Sequence, residues 1–118
     1  GIDFTVEVNG VPDKEVNSYK LVKVFYNAVL NSLEAIKNTA NSTPKIRIIF
    51  NKNSIEIRDN GQGFPVEILK KLKQEEIMIS TKENGSGIGT AIIKDLVKTM
   101  DGKISFYNDN GAVINISL

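Results

Sequence analysis

Apolar and polar residues alternate at the start of the chain. Phe4, Val6 and Val8 are separated by Thr5, Glu7 and Asn9, which predicts a half-buried strand ending at the Asn9-Gly10 turn signal. From about Glu15 to Thr39 the period changes. Tyr19, Val22, Phe25, Val29, Leu33 and Ile36 recur every three or four residues, predicting one long amphipathic helix that Asn41, Ser42, Thr43 and Pro44 end. Two strands are predicted next, Ile46 to Phe50 and Ile55 to Asp59, with 51–54 as a hairpin loop. Pro65 suits the first turn of a short helix running to about Leu72. Glu75 to Gly85 has no clear period and reads as loop. Ile88, Ala91, Ile92, Leu96 and Val97 then mark a second amphipathic helix, Gly87 to Met100, stopped by Asp101-Gly102. Strands at Lys103 to Tyr107 and Ala112 to Leu118, around Asn110-Gly111, close the pattern as a hairpin. The sum is an α+β two-layer sandwich, a mixed sheet with helices packed on one face. No repeat, low-complexity tract or linker interrupts it, so residues 1–118 are read as a single domain.

Composition narrows what such a domain can do. A chain of 118 residues can bury one sizeable core. It has no cysteine, which removes disulfides and thiolate metal sites. It has no histidine either, which removes imidazole acid-base chemistry and imidazole zinc ligands. Fifteen basic and fourteen acidic residues leave a net charge of +1, which gives no reason to expect nucleic-acid binding. No apolar run approaches the roughly 20 residues that span a bilayer, so no membrane contact is expected of this domain. A cytoplasmic location is expected, in a parent protein that could carry membrane anchors elsewhere. Gly1, running straight into a strand pattern, reads as the start of an excised domain.

Three stretches are unusual for structure alone. Asn27 and Asn31 lie four apart and share a helix face. Asparagine inside a helix costs roughly half a kcal/mol against alanine. The pair is either a polar edge facing water or a source of amide oxygen for a hard cation such as magnesium. Asp59 follows Ile55 and Ile57 on one side of its strand, which places a carboxylate at the rim of the core, with Gly61 and Gly63 just beyond. That is either an Asx turn or a polar anchor beside a flat ligand. Finally, Gly85-Ser86-Gly87-Ile88-Gly89 leads into a helix N-terminus, where free amides and the dipole favour phosphate; otherwise it is a hinge. It matches neither the dinucleotide fingerprint nor the Walker loop. The three in this order favour a nucleotide site.

The chain resembles the GHKL ATPase superfamily of gyrase, Hsp90, MutL and the histidine kinases, and within it the sensor histidine kinase catalytic domain. Phe25-Tyr26-Asn27-Ala28-Val29-Leu30-Asn31-Ser32-Leu33-Glu34-Ala35-Ile36 is similar to that family's N box. Asp59-x-Gly61-x-Gly63 is similar to its G1 box, and Gly85 to Gly89 to its G2 box, preceded by Ser80-Thr81-Lys82. The resemblance implies the Bergerat ATP-binding sandwich, with ATP and Mg²⁺ as cofactors. By that resemblance Asn31 ligates Mg²⁺ and Asn27 is the candidate catalytic residue assisting it. Asp59 accepts from the adenine amine, and Gly61 and Gly63 shape the adenine pocket. Lys82 and the backbone of Gly85, Gly87 and Gly89 hold phosphates beneath a lid, with Thr81, Ile88 and Thr90 as neighbouring nucleotide contacts. The chain departs from the family at Ser32 and Thr90, where alanine and leucine are usual. Glu34 stands where many members have lysine. Glu76-Ile77-Met78-Ile79 replaces a phenylalanine-rich stretch, and Ala112 a common threonine.

The hydrolytic members resemble one another in a glutamate one turn before the magnesium asparagine. Here that place holds Asn27, which cannot act as a base. The implied reaction is transfer of the γ-phosphoryl of ATP to a histidine on a separate dimerisation domain of the same parent, with a response regulator downstream. This domain alone is expected to be monomeric and nearly inert, and the parent a homodimer. Two other readings stay open: an anti-sigma-factor-type serine kinase of the same fold, and a non-catalytic interaction module.

Overall fold

The computed structural model of the protein describes residues 2–11, 15–37, 43–73 and 86–118, the first four of the last stretch by their backbone alone. The elements run β1 (Asp3–Val8), α1 (Ser18–Lys37), β2 (Lys45–Phe50), β3 (Ser54–Asp59), α2 (Val66–Lys73), α3 (Ser86–Thr99), β4 (Lys103–Asn108) and β5 (Ala112–Ser117). They form the expected α+β sandwich. The sheet order is β1-β2-β3-β5-β4, with β1 parallel to β2 and every other pair antiparallel. The expected loop at Glu75 to Gly85, including Glu76 to Ile79, lies outside the described residues apart from its boundary with α3.

The pairing register lines side chains into rows across the helix-covered face. Val6, Ile48, Ile57, Ile114 and Phe106 make one row; Val8, Phe50, Ile55, Ile116 and Ile104 make the next. From β2 to β4 these rows pack against Val24 and Ala28 of α1, Leu72 of α2, and Ile93 and Val97 of α3. Each buried isoleucine contributes about 1.5–3 kcal/mol through removal of apolar area from water. Edge-to-face ring pairs, Phe25 with Phe50 and Phe64 with Phe106, close the two sides of the layer.

Two expectations about burial need correction. Phe4, Val6 and Val8 of β1 are exposed rather than half-buried, because β1 is an edge strand lying beyond the helices. In α1 the buried stripe is Val24, Ala28, Ser32 and Ile36, whereas Tyr19 and Val22 are 68% and 64% exposed. Small residues at the contact let α1 approach the sheet and α3 closely, and this proximity, not hydrophobicity alone, sets the helix's rotation. The helix also starts later than expected. Asn17 caps it, its side-chain oxygen accepting from the Lys20 amide at 3.1 Å.

The other ends follow their signals. Pro65 precedes α2 and its carbonyl accepts the first helical bond, from Leu69. The amide of Gly102 donates to Val97 and that of Asp101 to Lys98, a Schellman closure of α3 with Asp101 left-handed at φ 58°. Lys94 of α3 donates from Nζ to the Leu72 carbonyl at 2.7 Å, satisfying the end of α2. Among the described residues no helix is long and apolar enough to cross a membrane.

Candidate functional site

A third row continues the same register: Phe4, Ile46 and Asp59, then Ala112 and Asn108. Here a carboxylate replaces the isoleucine that the two inner rows place on β3. Asp59 is 8% exposed and needs hydrogen-bond donors. The fold supplies two: its Oδ1 accepts from the backbone amides of Gly61 at 2.9 Å and Ala112 at 3.1 Å. Among the described residues nothing donates to its second oxygen.

The loop that carries Asp59 is pinned on several sides. Asn60 accepts from the Lys45 amide at 2.7 Å and donates to the Thr43 carbonyl at 2.8 Å, tying the loop to the start of β2. Asn108 grips Phe64 at both backbone groups, accepting from its amide at 2.8 Å and donating to its carbonyl at 3.0 Å. These contacts explain the glycines. Gly63 has φ 82°, and a Cβ there would meet the Asn108 side chain at 2.8 Å. A Cβ on Gly61 would press on Ala35 of α1 at 3.1 Å. Gly111 is tighter still: with φ 136°, its Cβ would fall 2.0 Å from the Asp59 carbonyl oxygen.

Between this loop and α1 lies a cavity of about 140 Å³ lined by Asn31, Ser32 and Glu34 from α1, by Asp59 and Gly63, and by Ala112 among others. A cavity of about 150 Å³ is enough for a six-membered aromatic ring. One wall is apolar, formed by Ala28, Ile57, Phe64 and Ile114. A planar base could stack there while presenting a donor to the open oxygen of Asp59.

The structure therefore gathers Asn31, Asp59 and Gly63 on one cavity, with Gly61 holding Asp59 from behind. Asn27 is not among the lining residues. Its amide donates to the Lys23 carbonyl of its own helix at 2.8 Å. Gly87, Ile88 and Gly89 belong to the first turns of α3, and Thr90 is wholly buried on that helix. Thr81, Lys82 and Gly85 lie outside the described residues. Sequence reasoning missed Asn108 and Gly111 as site residues. Asn110-Gly111 gave a turn signal, but nothing in the sequence said that this turn packs backbone to backbone against Asp59.

Asn31 bears on metal binding. Among the described residues its buried Nδ2 has no hydrogen-bond partner, so the amide has unused capacity at the cavity. A half-turn of the amide presents its oxygen instead, the donor a hard cation takes. No group of three acidic, histidine or cysteine side chains that could hold a metal by itself occurs among the described residues. A magnesium ion that shares its shell with ligand phosphates needs only one or two protein oxygens, and Asn31 fits that role.

Comparison with known proteins bears on the family and the fold. Residues 16–118 match the family described as histidine kinase-, DNA gyrase B-, and HSP90-like ATPase. The sensor protein DegM of a Bacillus species is 33% identical over 95 residues, covering 80% of this chain and 25% of DegM. Sporulation kinase C of Bacillus subtilis is 30% identical over 92 residues, 78% of this chain and 21% of that kinase. The chain spans between 16% and 25% of the length of the first curated relatives it matches. In three dimensions it aligns with the nucleotide-free catalytic domain of histidine kinase ThkA at a TM-score of 0.69 and 26% identity, covering 99% of this chain and 78% of that one. The chain belongs to the histidine kinase-, DNA gyrase B- and HSP90-like ATPase family, as an ATP-binding domain of the sensor histidine kinase type.

Proposed function

We propose that the chain binds ATP together with Mg²⁺ and presents the γ-phosphoryl to a histidine on another domain of a two-component sensor kinase. The observation that carries this reading is Asp59, with one carboxylate oxygen saturated by two backbone amides and the other open to the cavity. An adenine amine is a donor of the right kind for that oxygen. The apolar wall formed by Ile57, Phe64 and Ile114 suits the ring's face.

Phosphoryl transfer asks a protein chiefly for positioning and charge stabilisation. In this reading Asp59 fixes the base, and Asn31 offers its amide oxygen to the metal. The amides at the start of α3 are assigned to the phosphates, a role the family resemblance also gives to Lys82 and Thr81. When bound, the metal neutralises phosphate charge. Asn27 assists from the same helix, though its amide hydrogen is committed to Lys23 and its side chain cannot take a proton from water. Transfer therefore outranks hydrolysis. The acceptor must come from elsewhere, because the chain has no histidine.

The test supplies the histidine-bearing domain of the parent kinase in trans with γ-labelled ATP and Mg²⁺. Acid-labile label on that domain, dependent on Asp59 and Asn31, is the expected result. Label that never leaves ATP, or that appears as acid-stable phosphoserine, would contradict the histidine kinase reading.

A further inference from the structure

The cavity carries a charge pattern that sits badly with a bare nucleotide. Its charged lining residues are Glu34 and Asp59, both acidic, and among the described residues no lysine or arginine lines it. Asp59 holds two backbone amides with one oxygen and in the nucleotide reading meets the base with the other. Glu34 does neither. It is half-buried on α1, three residues from Asn31 and on the same helix face, and no hydrogen bond or ion pair holds its carboxylate among the described residues. An unpaired carboxylate beside a polyphosphate is repulsive, and in a partly desolvated cleft that repulsion is much stronger than in water. Beside a divalent cation the same carboxylate is attractive. Asn31, one helical turn away, has a buried amide nitrogen with no partner among the described residues and is the neutral half of such an arrangement.

We propose that Glu34 makes nucleotide binding conditional on the divalent cation: it excludes free ATP and, paired with Asn31 on one face of α1, draws in the cation-loaded form. Its carboxylate faces the cation directly or through a cation-bound water, while Asn31 supplies an amide oxygen. The inference rests on the nucleotide reading above and assigns Glu34 a role in ligand selection. It is a specificity-determining residue and takes no part in moving the phosphoryl group.

The experiment is calorimetry of ATP binding in Mg²⁺ and in EDTA, with the parent protein, Glu34→Gln and Glu34→Lys. Adenosine, which has no phosphates, serves as a control ligand. The parent protein should prefer the Mg²⁺ form by about tenfold or more. Glu34→Gln should shrink that preference by weakening ATP-Mg²⁺ and strengthening free ATP. Glu34→Lys should bring the ratio towards one or below, and the adenosine affinity of each variant, set against its ATP affinities, separates a disturbance of the base pocket from an effect on the phosphates and cation. Glu34 is on the cavity-facing surface of α1 and outside the apolar core, so both variants are expected to fold; their melting curves verify this. An unchanged Mg²⁺-to-EDTA ratio in both folded variants would overturn the role of Glu34 while leaving the nucleotide site standing. Failure of the parent protein to bind ATP or adenosine in either buffer would sink the nucleotide reading, and this proposal with it.

Discussion

The inner rows of the sheet and its end row are carried by the same strands, yet they are built for opposite purposes. Ile55, Ile57, Ile114 and Ile116 fill the inner rows and lie against α1 and α3 with no polar group to satisfy. One pleat further on, Asp59 takes the equivalent place on β3 and Ala112 faces it from β5, where a larger apolar residue would close the core. The end row trades apolar packing for a cavity and an unfilled acceptor. The difference shows how little is needed to turn the end of a core into a site. One carboxylate, a few small residues and a loop braced at both ends suffice.

The comparison can be broken from either side. The largest loss should come from the inner rows. Ile55→Ala removes a side chain 1% exposed and should cost about 2–5 kcal/mol of stability by urea denaturation. Gly111→Ala should follow, at about 2–4 kcal/mol, because the new Cβ collides with the Asp59 backbone where no flexible side chain can yield. Unlike Ile55→Ala, it should weaken ATP binding even in the folded molecules, since the collision displaces Asp59 itself. Asn108→Ala should cost only about 1 kcal/mol, its two bonds to Phe64 being partly exposed. It should nonetheless reduce ATP affinity, because Phe64 forms part of the cavity wall.

The smallest effect lies on the opposite, open face of the sheet. Burial pushes the Glu56 carboxyl up, but hydrogen bonds from Arg58 and Tyr107, with the Arg58 charge, outweigh it and hold the group below its ordinary 4.5. A carboxyl lowered on folding stabilises the protein at any pH above its unfolded value, and that contribution is lost as pH falls through the lowered value. Stability should therefore decline below about pH 4.5. Glu56→Gln should flatten that part of the profile without changing ATP affinity at neutral pH.

Much of this architecture was legible in the sequence because period and punctuation are local. The alternation in Ile55, Ile57 and Asp59 placed the carboxylate on the core side of β3, and the helix boundaries fell within a few residues of the expected Glu15 start and of the Pro65 and Asp101-Gly102 signals. The rotation of α1 was not legible. Tyr19 and Val22 have the spacing of a core face, but the contact went to Ala28 and Ser32, whose small size matters only once sheet and helix meet. The edge position of β1, which leaves Val8 in solvent, is likewise a property of strand order, and alternation cannot report it. At the site, Asp59 and Asn31 were visible as misplaced polar residues. Asn108 and Gly111 were not, because their partners Phe64 and Asp59 are remote in sequence. The separation of Asn27 from the cavity was hidden too. Both asparagines lie on one helix, but Asn27 bonds back to Lys23 while Asn31 lines the cavity.

The measurement that tests the division between core and site most directly sets Asp59→Asn against Ile55→Ala, with urea stability and Mg²⁺-ATP affinity read on each. Asparagine can still accept from Gly61 and Ala112 with its oxygen, but it turns a donor towards the ligand where Asp59 offers an acceptor. Asp59→Asn should keep its unfolding free energy within about 1 kcal/mol of the parent while losing roughly tenfold or more in affinity. Ile55→Ala should show the reverse, unstable yet able to bind ATP while folded. If Asp59→Asn instead unfolds as readily as Ile55→Ala and its folded fraction binds ATP with parental affinity, Asp59 is part of the core and the cavity beside it is not the nucleotide site.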